Sequence, residues 1–187
     1  MNLKQRFNGA ILAGGKSSRM GSDKALLTLE NQTLLEKAKN SLLAAGAQSV
    51  VICRDSNEPD CKADIHPDCG PLGGIYTAIY CKPDLPLVII PVDLPNLGPA
   101  EISDLVLTGV QQKSICHYSG QYIPIFLWDP KAIIKDLEES LKSRLDLSLY
   151  RFFSSRRKIE IPITQADILF NANTPEDWQS ITSRQPN

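Results

Sequence analysis

The stretch LPLVIIPV, residues 85 to 92, does most to narrow what this chain can fold into. It is apolar and rich in Val and Ile, so it reads as a buried strand whose start and end lie near Pro86 and Pro91. Phe7 to Ala13 reads the same way and runs out into glycines, and Ser49 to Cys53 is a third such strand. Between these runs the period changes. Leu34, Leu35, Ala38, Leu42 and Leu43 recur at helical spacing and stop near Gly46, while Leu72 to Tyr80 can form a helix entered from Gly70 and Pro71.

The alternation continues to the end of the chain. Pro99 to Leu107 suits a helix with proline in its first turn, and Ser114 to His117 and Tyr122 to Leu127 read as two strands joined around Gly120. Asp129 to Leu141 is amphipathic, with Ile133, Ile134, Leu137 and Leu141 on one face. Ile159 to Ile163 is a short alternating strand; Thr174, Pro175 and Glu176 read as the cap and first turn of a last helix. Strands alternating with helices imply a doubly wound α/β fold with a mainly parallel sheet covered on both faces. A chain of 187 residues, 42% hydrophobic, fits one such domain over residues 1–187.

Charge and cysteine content exclude other classes. A formal net charge of -1 gives no broad basic field for nucleic acid. No apolar stretch has the length of a signal peptide or a membrane span, so a cytoplasmic protein is expected. Five cysteines without a C-x-x-C pair do not read as a disulfide framework, and Cys53, Cys61 and Cys69 are too widely spaced for the close pairs zinc usually takes. His66 and His117 each lack a nearby ligand partner and read as loop or strand-end residues.

In doubly wound sheets, ligands bind outside the carboxyl ends of the strands. The residues that follow the three apolar strands therefore carry the chemistry. ILAGGKSSRMGSDKALL, residues 11–27, looks like a phosphate-binding Walker loop, but Ala10 stands where that pattern needs its first glycine. Gly14 and Gly15 still let the backbone approach a ligand, and Lys16, Arg19 and Lys24 supply cations suited to a polyphosphate. A glycine turn with solvated lysines is the plainer reading of the same residues. Asp93, directly after the third strand, can hold Mg²⁺ or cap the following helix. Asp68, before CGPLGGI, can accept from the N1–H and N2–H₂ edge of guanine or serve as a turn aspartate.

LAGGKSSRMGSDKALL resembles the signature of the molybdenum cofactor guanylyltransferases, nucleotidyltransferases with a Rossmann-like fold. IHPDCGPLGGI, PVDLPNL and FNANTPEDW resemble further motifs of that family, in its order, from residue 11 to residue 178. The resemblance implies transfer of GMP from MgGTP to molybdenum-bound molybdopterin, with release of pyrophosphate. It implies that Leu12, Ala13 and Gly14 contact the nucleotide through the backbone, with Gly15 and Arg19 in the same loop. Lys24 is then placed on the phosphates, Asp68 on guanine and Asp93 on magnesium, so that Lys24, Arg19 and Asp93 are the catalytic set. Asn171 and Asn173 match the family's asparagine pair on the acceptor side. The nucleotide-binding half is then about residues 1–98 and the acceptor half about 99–187. Transient contacts with pterin-delivery proteins or molybdoenzymes are implied by the resemblance alone.

The chain departs from the family pattern in three places. Cys53 stands where asparagine is common, YIP at 122–124 stands near the usual His-Pro pair, and Arg144 is single where an arginine pair is common. The last two fall in the acceptor half. Rival readings are a transferase using CTP on the same pterin, one using a nucleotide on a sugar phosphate, or a non-catalytic binding module. The HPDCGPLGGI loop favours guanine, and the joint presence of Lys24 and Asp93 favours turnover.

Overall fold

The first apolar run forms strand β1 (Asn8–Leu12), near the middle of a seven-stranded sheet. The structure is a computed structural model, and it describes residues 6–14, 23–163, 165–174, 177–179 and 181. A small antiparallel pair follows, β2 (Thr28–Leu29) and β3 (Gln32–Thr33). Then come β4 (Val50–Cys53), β5 (Cys61–Lys62), β6 (Leu87–Pro91), β7 (Ile115–Tyr118), β8 (Ile125–Leu127) and β9 (Lys158–Ile161). The order across the sheet is β5-β4-β1-β6-β8-β7-β9. Neighbours are parallel except on the two sides of β8, which runs antiparallel to β6 and to β7.

The chain passes from β1 to β4 on one side and then crosses back to β6 on the other side. This reversal opens a crevice at the carboxyl end of β1, where Leu12 is paired with Cys53 and with Pro91. Three segments that are distant in sequence therefore end side by side.

Helices cover both faces of the sheet, and the apolar runs follow from that. Helices α1 (Leu34–Ala44) and α3 (Pro99–Gln112) lie on one face, where Ile11, Val88, Ile90 and Phe126 meet Leu42, Ile102 and Leu105. On the other face lie α2 (Gly70–Cys81), α4 (Ile134–Ser143) and α5 (Leu149–Ser154), with Ala10, Ile89 and Leu127 packed against Ile75, Ile79, Leu137 and Phe153. Val88, Ile89 and Ile90 alternate between the two cores, so each is fully buried. Each such side chain contributes roughly 1.5–3 kcal/mol.

Helix α1 begins where the spacing predicts, and its cap explains why. Thr33 Oγ1 accepts the Glu36 N–H at 3.1 Å while Glu36 Oε2 accepts the Thr33 N–H at 2.7 Å. It ends at Ala44, ahead of Gly46, whose φ of +104° suits glycine. Leu34, Leu35 and Leu42 are buried; Leu43, expected on the same face, is exposed.

Other boundaries move. The helix from Pro99 runs on to Gln112, and the segment expected to be one helix from Asp129 is a 3-10 turn at Pro130–Ala132 followed by α4. The strand expected from Tyr122 is confined to Ile125–Leu127. Strand β5 and helix α5 have no counterpart in the sequence reading. Near the end, Thr174 does act as a cap, with its Oγ1 accepting the Asp177 N–H at 3.1 Å. The reciprocal carboxylate is Asp177, while Pro175 and Glu176 lie outside the described residues. No helix among the described residues is long and apolar enough to cross a membrane.

Candidate active site

The crevice at the carboxyl edge is a cavity of about 730 Å³. Leu12, Ala13 and Gly14 from the end of β1, Cys53 and Arg54 from the end of β4, and Pro91, Val92 and Asp93 from the end of β6 line it. Asp23 and Lys24 close another side, and Asp64, Asp68, Gly70 and Gly74 form the wall around the start of α2. The cavity thus gathers Leu12, Ala13, Gly14, Lys24, Asp68 and Asp93, six residues that the sequence singled out from four separate segments. Gly15, Lys16 and Arg19 lie outside the described residues.

Lys24 is held from behind. Asp23 caps the short 3-10 turn Lys24–Leu26, its Oδ1 accepting the Ala25 N–H at 3.1 Å, and the same carboxylate takes a two-pronged contact from the Arg54 guanidinium. The Arg54 hydrogen bond holds the Asp23 carboxyl below the usual carboxylate range. This clamp ties the start of the turn to the end of β4. The Lys24 ammonium, with the side chain only 16% exposed, lies 3.7 Å from Asp93 Oδ2 and donates to Asn173 Oδ1.

Asp93 does not cap the helix that follows. Helix α3 starts at Pro99, and Glu101 accepts the Gly98 N–H at 3.0 Å instead. Asp93 is left facing the cavity, at 24% exposure and with one cation beside it. One carboxylate of this kind suits a divalent ion that takes its other oxygen ligands from a substrate's phosphates and from water. Among the described residues, no group of three or more His, Cys, Asp or Glu could form a closed metal cage.

The two aspartates near α2 differ sharply. Asp68 is exposed, with a left-handed φ of +57°, and sits at the rim. Asp64 lies deeper: its Oδ2 would be 3.8 Å from a Cβ on Gly14 and its Oδ1 3.8 Å from a Cβ on Gly74, so the carboxylate occupies the notch between the two segments. Burial pushes its carboxyl above the ordinary range, and Oδ1 is buried with no hydrogen-bond partner among the described residues. An unpaired buried acceptor costs roughly 1–3 kcal/mol, a cost that a ligand or water donating to it would offset. The next residue fixes it in place. Ile65 N–H donates to Thr77 Oγ1 at 3.0 Å, and Thr77 donates to Gly73 O at 3.0 Å.

Sequence reasoning missed Asp64 because the strand that aims it, β5, is two residues long and lies inside a polar loop. A carboxylate close behind Cys61–Lys62 is recognisable only once that edge strand is paired to β4. Arg54 follows the second apolar strand directly, but nothing along the sequence shows that its guanidinium reaches Asp23, 31 positions away. Cys53, by contrast, points into the core. Its Sγ donates to Gly74 O at 3.3 Å, and burial pushes the thiol well above its usual range.

The remaining candidates fall elsewhere. Ala172 N–H donates to Asp93 O at 3.0 Å and so brings the Asn171–Asn173 segment against the end of β6, with Asn173 reaching Lys24. Arg144 donates to Pro67 O at 3.1 Å near the rim. His117 is buried, with Nδ1–H shared between Tyr118 O and Gln121 O, which fixes it as a strand-end structural residue.

The fold and its switch-point crevice are those of a nucleotide-binding α/β domain, and its relatives define the class: the chain is a nucleotidyltransferase. The chain belongs to the MobA-like NTP transferase family, whose domain model matches residues 9–159. It is 34% identical over the full length of both chains to a molybdenum cofactor guanylyltransferase of Xanthomonas euvesicatoria. It is 32% identical to one from Rhizobium johnstonii, covering 93% of this chain and 90% of the relative. Among solved structures, molybdopterin-guanine dinucleotide biosynthesis protein A of Archaeoglobus fulgidus shares the fold, with a TM-score of 0.76 at 18% identity over 94% of this chain and 97% of that one. A cytidylyltransferase of Thermus thermophilus acting on 2-C-methyl-D-erythritol 4-phosphate shares it too, with a TM-score of 0.68 at 11% identity over 94% and 97%. Nucleotidyltransferases of this family generally use a divalent metal.

Proposed function

We propose that the chain transfers GMP from GTP to molybdenum-bound molybdopterin, giving the guanine dinucleotide form of the cofactor and pyrophosphate. The observation that carries this reading is the convergence on one cavity beside Gly14 of Lys24, Asp93 and Asp64, whose buried Oδ1 has no hydrogen-bond partner among the described residues. The full-length relation to molybdenum cofactor guanylyltransferases supports the choice of substrates.

In this reading, an oxygen of the acceptor phosphate attacks the α-phosphorus of GTP as the bond to the β-phosphate oxygen breaks. The attacking oxygen is already ionised, so the protein needs to supply positioning and charge stabilisation rather than a general base. Leu12, Ala13 and Gly14 present the backbone to the nucleotide, with Gly15 next in sequence. Lys24 and Arg19 offset charge on the departing pyrophosphate. Asp93 is the protein ligand for Mg²⁺, which supplies Lewis-acid stabilisation of the phosphate oxygens when bound. Asp68, and Asp64 with its buried Oδ1, are the carboxylates of the α2 wall available to accept from the donor edge of guanine. Asn171 marks the acceptor side, and residues beyond about 99 form the acceptor half.

The test is pyrophosphate release from GTP, dependent on Mg²⁺ and on molybdenum-loaded molybdopterin. Expected is turnover with GTP that falls by orders of magnitude with CTP or ATP. Preference for CTP or ATP sinks the guanine assignment, and acceptor-independent release sinks the transfer itself.

A further inference from the structure

Resting on the reading of Lys24 as a phosphate-binding cation, we propose that Asn173 is a positioning residue for Lys24 rather than an acceptor-binding residue. Among the described residues, the Lys24 ammonium lies 3.7 Å from Asp93 Oδ2 and donates to the amide oxygen of Asn173, and its charge adds to the Thr174 N–H hydrogen bond in holding the Asp177 carboxyl below its usual range. Asp93 and Asn173 differ in charge, and that difference is the basis of the assignment. A carboxylate neutralises the ammonium, whereas an amide oxygen orients it and leaves its full charge for a phosphate. Were Asp93 engaged by a metal ion, the neutral Asn173 amide would still accept from Lys24 and hold it in place.

The platform that presents this amide is fixed by independent contacts. Asp177 Oδ2 accepts the Asn173 N–H at 3.0 Å and the Thr174 N–H at 2.8 Å, and Thr174 Oγ1 accepts the Asp177 N–H at 3.1 Å. On the other side, Ala172 is fully buried and donates to Asp93 O at 3.0 Å. The turn is therefore pinned to the very residue that carries the second oxygen. Its register decides where the Lys24 ammonium rests, from a distance of 149 positions along the chain.

The role is tested by calorimetric binding of inorganic pyrophosphate with Mg²⁺, and of GTP, to the full chain and to a mutant cycle of Lys24→Ala and Asn173→Asp. Asn173→Asp neutralises the ammonium and is expected to weaken pyrophosphate about tenfold, a coupling of ordinary size for contacting residues. In the Lys24→Ala background the same change should alter binding less than about twofold, because the group it acts through is gone. The KM for the pterin acceptor should stay unchanged in Asn173→Asp. If thermal melting shows that Asn173→Asp does not fold, Asn173→Ala completes the cycle with the same non-additivity expected. Equal losses with and without Lys24, or a raised acceptor KM with normal pyrophosphate binding, overturns the assignment. A wild-type chain that binds neither pyrophosphate nor GTP overturns the transferase reading and this role together; normal wild-type binding with an inert Asn173 overturns this role alone.

Discussion

Two neighbouring glycines in the first turns of α2 should respond to the same substitution in opposite ways. In an unconstrained helix interior, Gly→Ala is worth roughly 1 kcal/mol of added stability. An alanine Cβ at position 73 would lie 2.7 Å from the His66 carbonyl oxygen and 3.2 Å from Cys69 Cβ, both parts of the loop that leads into the helix. That carbonyl cannot rotate aside, because the loop is tied down where Ile65 N–H meets Thr77. Overpacking costs roughly 1–3 kcal/mol, and its upper range applies to a backbone obstacle. The balance for Gly73→Ala is a loss of about 1–2 kcal/mol, or a fall in Tm of roughly 2–8 °C for a chain of this size.

At position 74 the obstacle is different. The Cβ would lie 2.8 Å from Leu12 Cδ2, the free end of a side chain that can change rotamer. The clash is thus relieved cheaply and the helix gain survives, leaving stability within about 1 kcal/mol of wild type. Leu12, however, lines the cavity, so its displacement is paid in nucleotide affinity. Urea unfolding and calorimetric GTP titration of the two variants separate the effects. Gly73→Ala should be the less stable protein, and Gly74→Ala should lose affinity while keeping its stability. A Gly73→Ala protein more stable than wild type, or a Gly74→Ala protein less stable than Gly73→Ala, refutes the steric reasoning.

Asp64→Asn should raise stability at neutral pH while weakening GTP binding. Burial raises the folded-state pKa of Asp64 above its ordinary 3.8, so the native state binds more protons in that window and wild-type stability falls as pH rises through it. The asparagine variant should show a flatter profile; parallel stability-versus-pH curves count against the buried-carboxylate account. Thr33→Ala should cost roughly 1 kcal/mol by removing half of the α1 capping box, read as a lower urea midpoint at unchanged m-value; no shift means that the cap carries no weight. Iodoacetamide at neutral pH should label Cys81 well ahead of the other cysteines, since Cys53, Cys61, Cys69 and Cys116 are buried and burial pushes the Cys116 thiol up to about 11. Mass spectrometry showing Cys53 modified as fast as Cys81 contradicts this.

The elements that were legible share one property: their signal is local. LPLVIIPV becomes β6, and the helix spacing before Gly46 becomes α1, because burial on both faces and on one stripe respectively leaves a periodic mark. The elements that were not legible depend on partners distant in sequence. Cys61–Lys62 is a strand only because Ile52 and Cys53 offer a free edge, and Leu149–Ser154 is too short to show a period. The antiparallel insertion of β8 between β6 and β7 leaves no trace in a three-residue run. The same division separates Lys24 and Asp93, which sit in conspicuous sequence motifs, from Asp64 and Arg54, whose roles rest on partners distant in sequence.

By itself the sequence determined the layered α/β class, the family, and the glycine turn and strand-end residues that face a ligand, because periodicity and motif spacing are properties of contiguous residues. Only the tertiary structure decided which carboxylate has a buried oxygen to offer, that Asp23 and Arg54 clamp the turn carrying Lys24, and that a segment near residue 173 supplies the amide beside its ammonium. Those relations arise where the chain crosses from β4 back to β6 and the last turn folds onto Asp93, so they depend on distances through space that no spacing along the chain encodes.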